Sequence, residues 1–252
     1  MRFFAVFLYL VITSSVAQAD RVTVFAAASL KNAMDEIGLA FEEKYAHTVV
    51  FNFAGSSQIA RQVIAGAPAD LLITANALWM NEADEMSSIA SESRFDLVSN
   101  QLVLASSKAQ TITLDYESLQ QSLSGGRVAM ALVDAVPAGM YGKQALEHLD
   151  LWDALEPSII QADNVRAALR FLTLGETPLA IVYRSDVISE PKAYIAATFP
   201  EESHPAIRYP AALTERGVTS KVAVMFHNYL KSRDAKAILS RHGFLAIDGV
   251  QG

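Results

Sequence analysis

The chain has 252 residues, no cysteine, five histidines and a formal net charge of −7. That length holds one large or two small α/β domains. The lack of cysteine excludes disulfides, thiolate metal sites and cysteine nucleophiles, and the acidic balance gives no general attraction for nucleic acid or anionic membranes.

The first predicted element is an export signal. Met1-Arg2 gives a positive start, and Phe3 to Thr13 is an apolar run shorter than the roughly 20 residues a spanning helix needs. Ser14 to Ala19 then ends in the small-x-small pattern Ala17-Gln18-Ala19. This layout predicts a cleavable signal over 1–19, cut after Ala19, with Asp20 as the mature start. Removing it takes away Arg2 and leaves a net charge of −8. An exported chain without cysteine has no lipid-attachment site and suits the bacterial periplasm. No later segment is long and apolar enough to span, and the scattered histidines (His47, His148, His204, His227, His242) lack zinc-site spacing.

From Arg21 the pattern is strand, then helix. Val22, Val24 and Ala26 alternate with Arg21 and Thr23 and run into Ala26-Ala27-Ala28. Ser29 is placed as an N-cap for a helix with apolar positions 30, 33, 34 and 37. His47 to Phe53 reads as a second strand, followed by Ala54-Gly55-Ser56-Ser57 and a helix from Gln58 to Ala65. Gly66-Ala67-Pro68 stops that helix, and Asp70 to Thr74 is a buried third strand. Leu97 to Ser106 is β-rich and reads as the passage into a second half.

The middle of the chain repeats this order. Arg127 to Leu132 is a strand, Val136-Pro137-Ala138-Gly139 a turn, and Met140 to Leu149 a helix. Ile159-Ile160 leads through Asp163-Asn164-Val165 to a helix from Arg166 to Thr173. Gly175-Glu176-Thr177-Pro178 breaks it before the buried strand Leu179 to Tyr183. Ser29 lies 27 residues before Ser56, and Ala138 lies 27 before Val165. Equal spacing together with matching breakers predicts two lobes of like construction. Tyr194 to Phe199 and Arg208 to Leu213 form the return, and Lys221 to Leu239 has helical spacing and should pack on the first lobe.

Parallel α/β sheets place ligands beyond the carboxyl ends of their strands, where helices begin. A helix start carries unpaired N–H groups and roughly half a positive charge, so an oxyanion gains hydrogen bonds there without a cationic side chain. The four starts here are Ala28-Ser29, Gly55-Ser56-Ser57, Pro137-Ala138-Gly139 and Asn164-Val165. If the lobes face each other, all four converge on one cleft. Neutral donors suit a fully ionised anion that carries no proton. Each residue also has a plainer role: Ser29, Ser56 and Ser57 as caps, Tyr183 as a packed strand end. Arg61 and Arg166 stand within reach of an anion or of surface ion-pair partners.

At these residues the chain resembles the periplasmic molybdate-binding proteins of bacterial ABC importers. The resemblance lies in VTVFAAASLKNAM (22–34), FAGSSQIARQVIAGAPADLLITA (53–75), GGRVAM (125–130), VPAGMYGKQAL (136–146), DNVRAAL (163–169), PLAIVYRSD (178–186), ATFPEESH (197–204) and YPAAL (209–213), in order along nearly the whole mature chain. It implies a type II periplasmic-binding fold: α/β, with two hinged lobes of mixed, mainly parallel sheet flanked by helices. The expected division is 20–100 with 206–252 for lobe one and 101–205 for lobe two. It further implies a molybdate or tungstate oxyanion held by the Ser29 and Ser56 side chains, the Ala138 and Val165 N–H groups and the Tyr183 hydroxyl, with no bare metal ion and no cofactor. Ser57 is the alternative to Ser56, because the family often has a serine triplet where this chain has Gly55-Ser56-Ser57. The implied partner is a membrane permease, the expected state monomeric.

Two other classes stay open on the residues. A sulfate receptor would use the same donors and differ in cavity size. A serine hydrolase at Ser29 or Ser56 would need a nearby base and a G-x-S-x-G turn, and neither Ala27-Ala28-Ser29-Leu30-Lys31 nor Ala54-Gly55-Ser56-Ser57-Gln58 supplies one.

Overall fold

A computed structural model describes residues 20–247; the expected signal segment lies outside the described residues. Ten strands are present among them: β1 (Arg21–Ala27), β2 (Thr48–Ala54), β3 (Leu71–Ile73), β4 (Phe95–Ser99), β5 (Leu102–Ser106), β6 (Val128–Ala131), β7 (Ile159–Ala162), β8 (Leu179–Tyr183), β9 (Tyr194–Thr198) and β10 (Arg208–Leu213). The helices are α1 (Lys31–Tyr45), α2 (Ser56–Ile64), α3 (Ala77–Glu85), α4 (Tyr116–Leu123), α5 (Pro137–His148), α6 (Trp152–Leu155), α7 (Val165–Thr173), α8 (Arg184–Ile188), α9 (Lys221–Leu230) and α10 (Arg233–Arg241).

The strands form two five-stranded sheets, β2-β1-β3-β10-β4 and β7-β6-β8-β5-β9. In the first, β1 pairs in parallel with β2 and β3, while β10 runs against both β3 and β4. In the second, β6 pairs in parallel with β7 and β8, while β5 runs against β8 and β9. Each sheet thus has four strands pointing one way and one against them, in the same order. The chain passes between sheets twice, from β4 to β5 and from β9 to β10, and the Ser99 hydroxyl donates to the Ile207 carbonyl (2.8 Å) to tie the two passages together.

Buried strands read as continuous apolar runs because both faces are covered by helices; every residue of β8 (LAIVY) is buried. On α1 the buried positions are Ala33, Met34, Ile37, Gly38 and Phe41, the three-and-four spacing of one face. Phe41 packs edge-on against Phe226 of α9 (5.0 Å between centroids) and at 5.5 Å from Tyr229, which fastens the C-terminal helices to the first sheet's side. Truncating such a ring costs about 3–5 kcal/mol. After α2 and after α7 the chain turns through Gly66 (φ 86°) and Gly175 (φ 77°), the left-handed conformation that favours glycine and ends both helices alike.

Three local expectations are corrected. Ser29 does not cap a helix; it sits inside a 3-10 turn (Ala28–Leu30) that runs into α1, and its side chain makes no cap bond. The β-rich run 97–106 does lead from one sheet into the other, as two strands parted at Asn100-Gln101, where β4 leaves the first sheet and β5 enters the second. The helical run 221–239 is α9 and α10, with the Ser232 hydroxyl accepting from the Ala235 N–H to start the second. The helix placed from 140 starts at Pro137, whose missing N–H is harmless in a first turn.

Candidate functional site

The carboxyl ends of β1, β2, β6, β7 and β8 open onto one small cavity between the sheets. It is lined from the first sheet's side by Ala27, Ala28, Ser29, Ala54, Gly55, Ser56 and Ala75, and from the second's by Val136, Pro137, Ala138, Asn164, Val165 and Tyr183. Its enclosed volume is about 10 Å³, far below the roughly 300–1,000 Å³ of sites for drug-sized molecules. The small residues at each strand end let four backbone turns approach closely. All five residues singled out from the sequence stand on this wall; Ser57 instead lines the neighbouring groove.

Each contributes a proton donor. Ser56 is the first residue of α2, and its Oγ accepts from the Ala75 N–H at 2.9 Å. That leaves the hydroxyl proton free to donate elsewhere. Ala138 and Val165 occupy the first turns of α5 and α7, so their N–H groups have no intrahelical partner. The Asn164 carboxamide caps α7 by accepting from Ala167 N–H, which leaves Val165 N–H unclaimed by the cap. Tyr183 is wholly buried, and its hydroxyl has no hydrogen-bond partner among the described residues. Burial, and then the neighbouring Tyr209, Tyr141 and Asp186, push its pKa well above the ordinary phenol value, so it stays a protonated donor.

Among the described residues no cationic side chain lines the cavity. The Arg61 guanidinium lies over the Trp79 ring, 4.9 Å from its centroid. Arg166 is not at a surface ion pair, as one reading of the sequence had it. Its Nε stands 2.7 Å from Oδ1 of the fully buried Asp186, and its Nη2 donates to the Ser29 carbonyl at 3.2 Å. Asp186 also accepts from the Tyr183 N–H through Oδ2 (3.1 Å). Arg166 therefore ties a buried carboxylate of one half to the backbone turn of the other. A second cross-link is the Trp79 indole N–H, which donates to the Ala135 carbonyl at 2.8 Å.

Sequence reasoning missed the residues behind the wall. Ser29 Oγ lies 2.9 Å from the Tyr209 hydroxyl, and Asn100 Nδ2 donates to Tyr209 (3.2 Å) and to Ser185 Oγ (2.8 Å). These pairs are 85 to 180 residues apart in the chain, so no local pattern marks them. Among the described residues no group of three or more His, Asp or Glu side chains is placed to hold a metal ion.

Two like sheets joined by two passages, with one polar-walled cavity between them built of helix starts, make up the architecture of a two-lobed solute-binding protein. Residues 22–245 match the model of the bacterial extracellular solute-binding proteins, and the chain belongs to that family. The molybdate-binding protein ModA of Escherichia coli (strain K12) is 42% identical over 235 residues, covering 92% of this chain and 91% of that protein. The protein of the same name from Haemophilus influenzae is 34% identical over 236 residues, with 92% of each covered. The fold also matches the periplasmic molybdate-binding protein of Azotobacter vinelandii, with a TM-score of 0.79 over 90% of this chain and 100% of that one at 23% identity.

Proposed function

We propose that this chain is the periplasmic receptor of a molybdate importer, which captures molybdate (or tungstate) between its lobes and presents the closed form to an ABC-type permease. The observation that carries this reading is the wholly buried Tyr183 hydroxyl, unpartnered among the described residues, on a cavity wall otherwise built of helix starts. Buried polar groups find partners as a rule, and an anion oxygen supplies one here. The donors proposed are Ser29 Oγ, Ser56 Oγ, Ala138 N–H, Val165 N–H and Tyr183 Oη. The relatives named for molybdate binding support the choice of anion.

The lobes of this reading are 20–100 with 206–252, and 101–205, exported after loss of residues 1–19. The receptor is monomeric, binds no nucleic acid and catalyses no reaction. A general esterase assay checks the last point, since turnover abolished by Ser29→Ala would reverse it. The anion assignment is tested by isothermal titration of the chain from Asp20 with molybdate, tungstate and sulfate. Tight one-to-one binding of the first two with far weaker sulfate is expected; sulfate binding as well as molybdate would move the protein to another importer.

Two substitutions test the geometry. Tyr183→Phe removes one hydrogen bond to a charged group, so affinity should fall by about 1.5–3 kcal/mol; an unchanged dissociation constant removes Tyr183 from the site. Gly55→Ala acts on closure instead. A Cβ there would lie 2.8 Å from the Asp163 carbonyl oxygen and 3.3 Å from Val136 Cγ2, both on the opposite wall. Overpacking of this kind costs about 1–3 kcal/mol, roughly 5- to 150-fold in affinity. The melting temperature without ligand should barely move, because the open lobes never bring these atoms together. Small-angle scattering should then show compaction only at higher molybdate concentration than the parent needs.

A further inference from the structure

We propose that Tyr209, oriented by Asn100, is a positioning residue that fixes the Ser29 hydroxyl as a pure donor towards the cavity, and so makes the site reject anions that carry a proton. The proposal rests on the anion-receptor reading above and extends it to two residues that never touch the ligand.

The direction of the chain of hydrogen bonds follows from its backbone end. Asn100 sits at the passage from β4 to β5, buried. Its Oδ1 accepts from the Gln101 N–H (3.0 Å), with the Ser185 N–H a longer second donor (3.4 Å). Backbone N–H groups only donate, which fixes which end of the carboxamide is oxygen. Nδ2 therefore faces Ser185 Oγ and the Tyr209 hydroxyl and donates to both. With its oxygen already accepting, Tyr209 turns its own proton to the remaining neighbour, Ser29 Oγ at 2.9 Å. Ser29 Oγ is then an acceptor on its buried side, and its own proton is left for the cavity it lines.

Tyr209 is completely buried, and its ring is held edge-on by Phe244 (5.4 Å between centroids) and Tyr183 (6.1 Å), so the phenol has one place to stand. Ser56 is set in the same sense by a different device, the Ala75 N–H. Both serines are thus committed as donors. An anion with a proton of its own, such as hydrogen phosphate at neutral pH, finds in each serine an oxygen that already accepts one hydrogen bond, so its proton is held less well than the donors hold its oxygens. A fully ionised oxyanion is accommodated.

The test is a double-mutant cycle by isothermal titration on the chain from Asp20, with molybdate and with inorganic phosphate as competitor. Tyr209→Phe keeps the ring packing and removes only the hydroxyl. In the parent background it should weaken molybdate binding roughly 2- to 12-fold and lower the molybdate-over-phosphate ratio by about tenfold, the size of one neutral hydrogen bond. In a Ser29→Ala background the same substitution should change neither, because the residue through which it acts is gone. A loss that persists undiminished beside Ser29→Ala, or an unaltered ratio in Tyr209→Phe, overturns the positioning role and leaves the receptor reading intact. Failure of the parent protein to bind molybdate at all overturns both.

Discussion

Arg166→Met is expected to lower the unfolding free energy by about 3–5 kcal/mol, a drop in melting temperature of roughly 6–20 °C for a chain of this size. The cost does not come from the arginine, whose side chain is 21% exposed, but from what it abandons. Asp186 is fully buried, and without Arg166 its one remaining partner among the described residues is the Tyr183 N–H. The contact is an ion pair more than an aligned hydrogen bond, since Nε and Oδ1 meet at 2.7 Å without good directionality. Asp186 therefore depends on the charge of Arg166. Burial already holds the Asp186 carboxyl above its ordinary range, against the downward pull of Arg166 and the Tyr183 N–H.

The sign of the pH dependence follows. A carboxyl whose folded pKa is raised stabilises the fold fully below its unfolded value of about 4, and loses that contribution as pH rises through the folded value. Deleting Arg166 removes a downward pull and raises the folded value further. The variant's deficit should be small near pH 4 and grow towards neutrality. Urea melts at pH 4.5 and 7.5 check this, and equal deficits at both would show that Asp186 does not carry the effect. Adding Asp186→Asn should restore most of the loss at pH 7.5, because the carboxamide carries no charge to strand.

What could be read in the chain was what repeats at short range. The helix starts at Ser56, Ala138 and Val165 were legible because each follows a buried strand, begins an apolar face and recurs at equal spacing in both halves. The same logic reaches α3 and α4, which were not read: Asn76 and Asp115 cap them by accepting from the Trp79 and Ser118 N–H groups. Ser29 misleads because a 3-10 turn of three residues has no periodicity to detect, and a serine before a helix looks the same whether it caps or precedes a turn. The split at Asn100-Gln101 is invisible locally, since a β-rich run carries no mark of the point where it changes sheet. Pairing of Arg166 with Asp186, and of Ser29 with Tyr209, depends on how two sheets and two passages close in space. Those contacts set the electrostatics of the site, and only the folded chain reveals them.

Ser56→Asp should abolish capture and, in the same molecule, stabilise the protein without ligand. A carboxylate here would stand within about 4 Å of the bound anion. Two unit charges at that distance repel by about 4 kcal/mol at an effective dielectric of 20, and a doubly charged oxyanion doubles this. The loss should exceed a thousandfold. Alone, however, the new carboxylate meets the free N–H groups of α2 from its own side and of α5 and α7 from the opposite wall. Each helix start favours a negative charge by about 0.3–1 kcal/mol, so the side chain acts as a tethered substitute for the ligand. Ser56→Ala supplies the contrast: it strands the buried Ala75 N–H, which costs about 1–3 kcal/mol. Thermal melts should therefore move in opposite directions for the two variants, up for aspartate and down for alanine, while both lose affinity. Scattering of ligand-free Ser56→Asp should already show the compact form. If aspartate lowers the melting temperature as alanine does, the helix starts exert no net pull on a negative charge, and the cavity must hold its ligand by hydroxyl contacts alone.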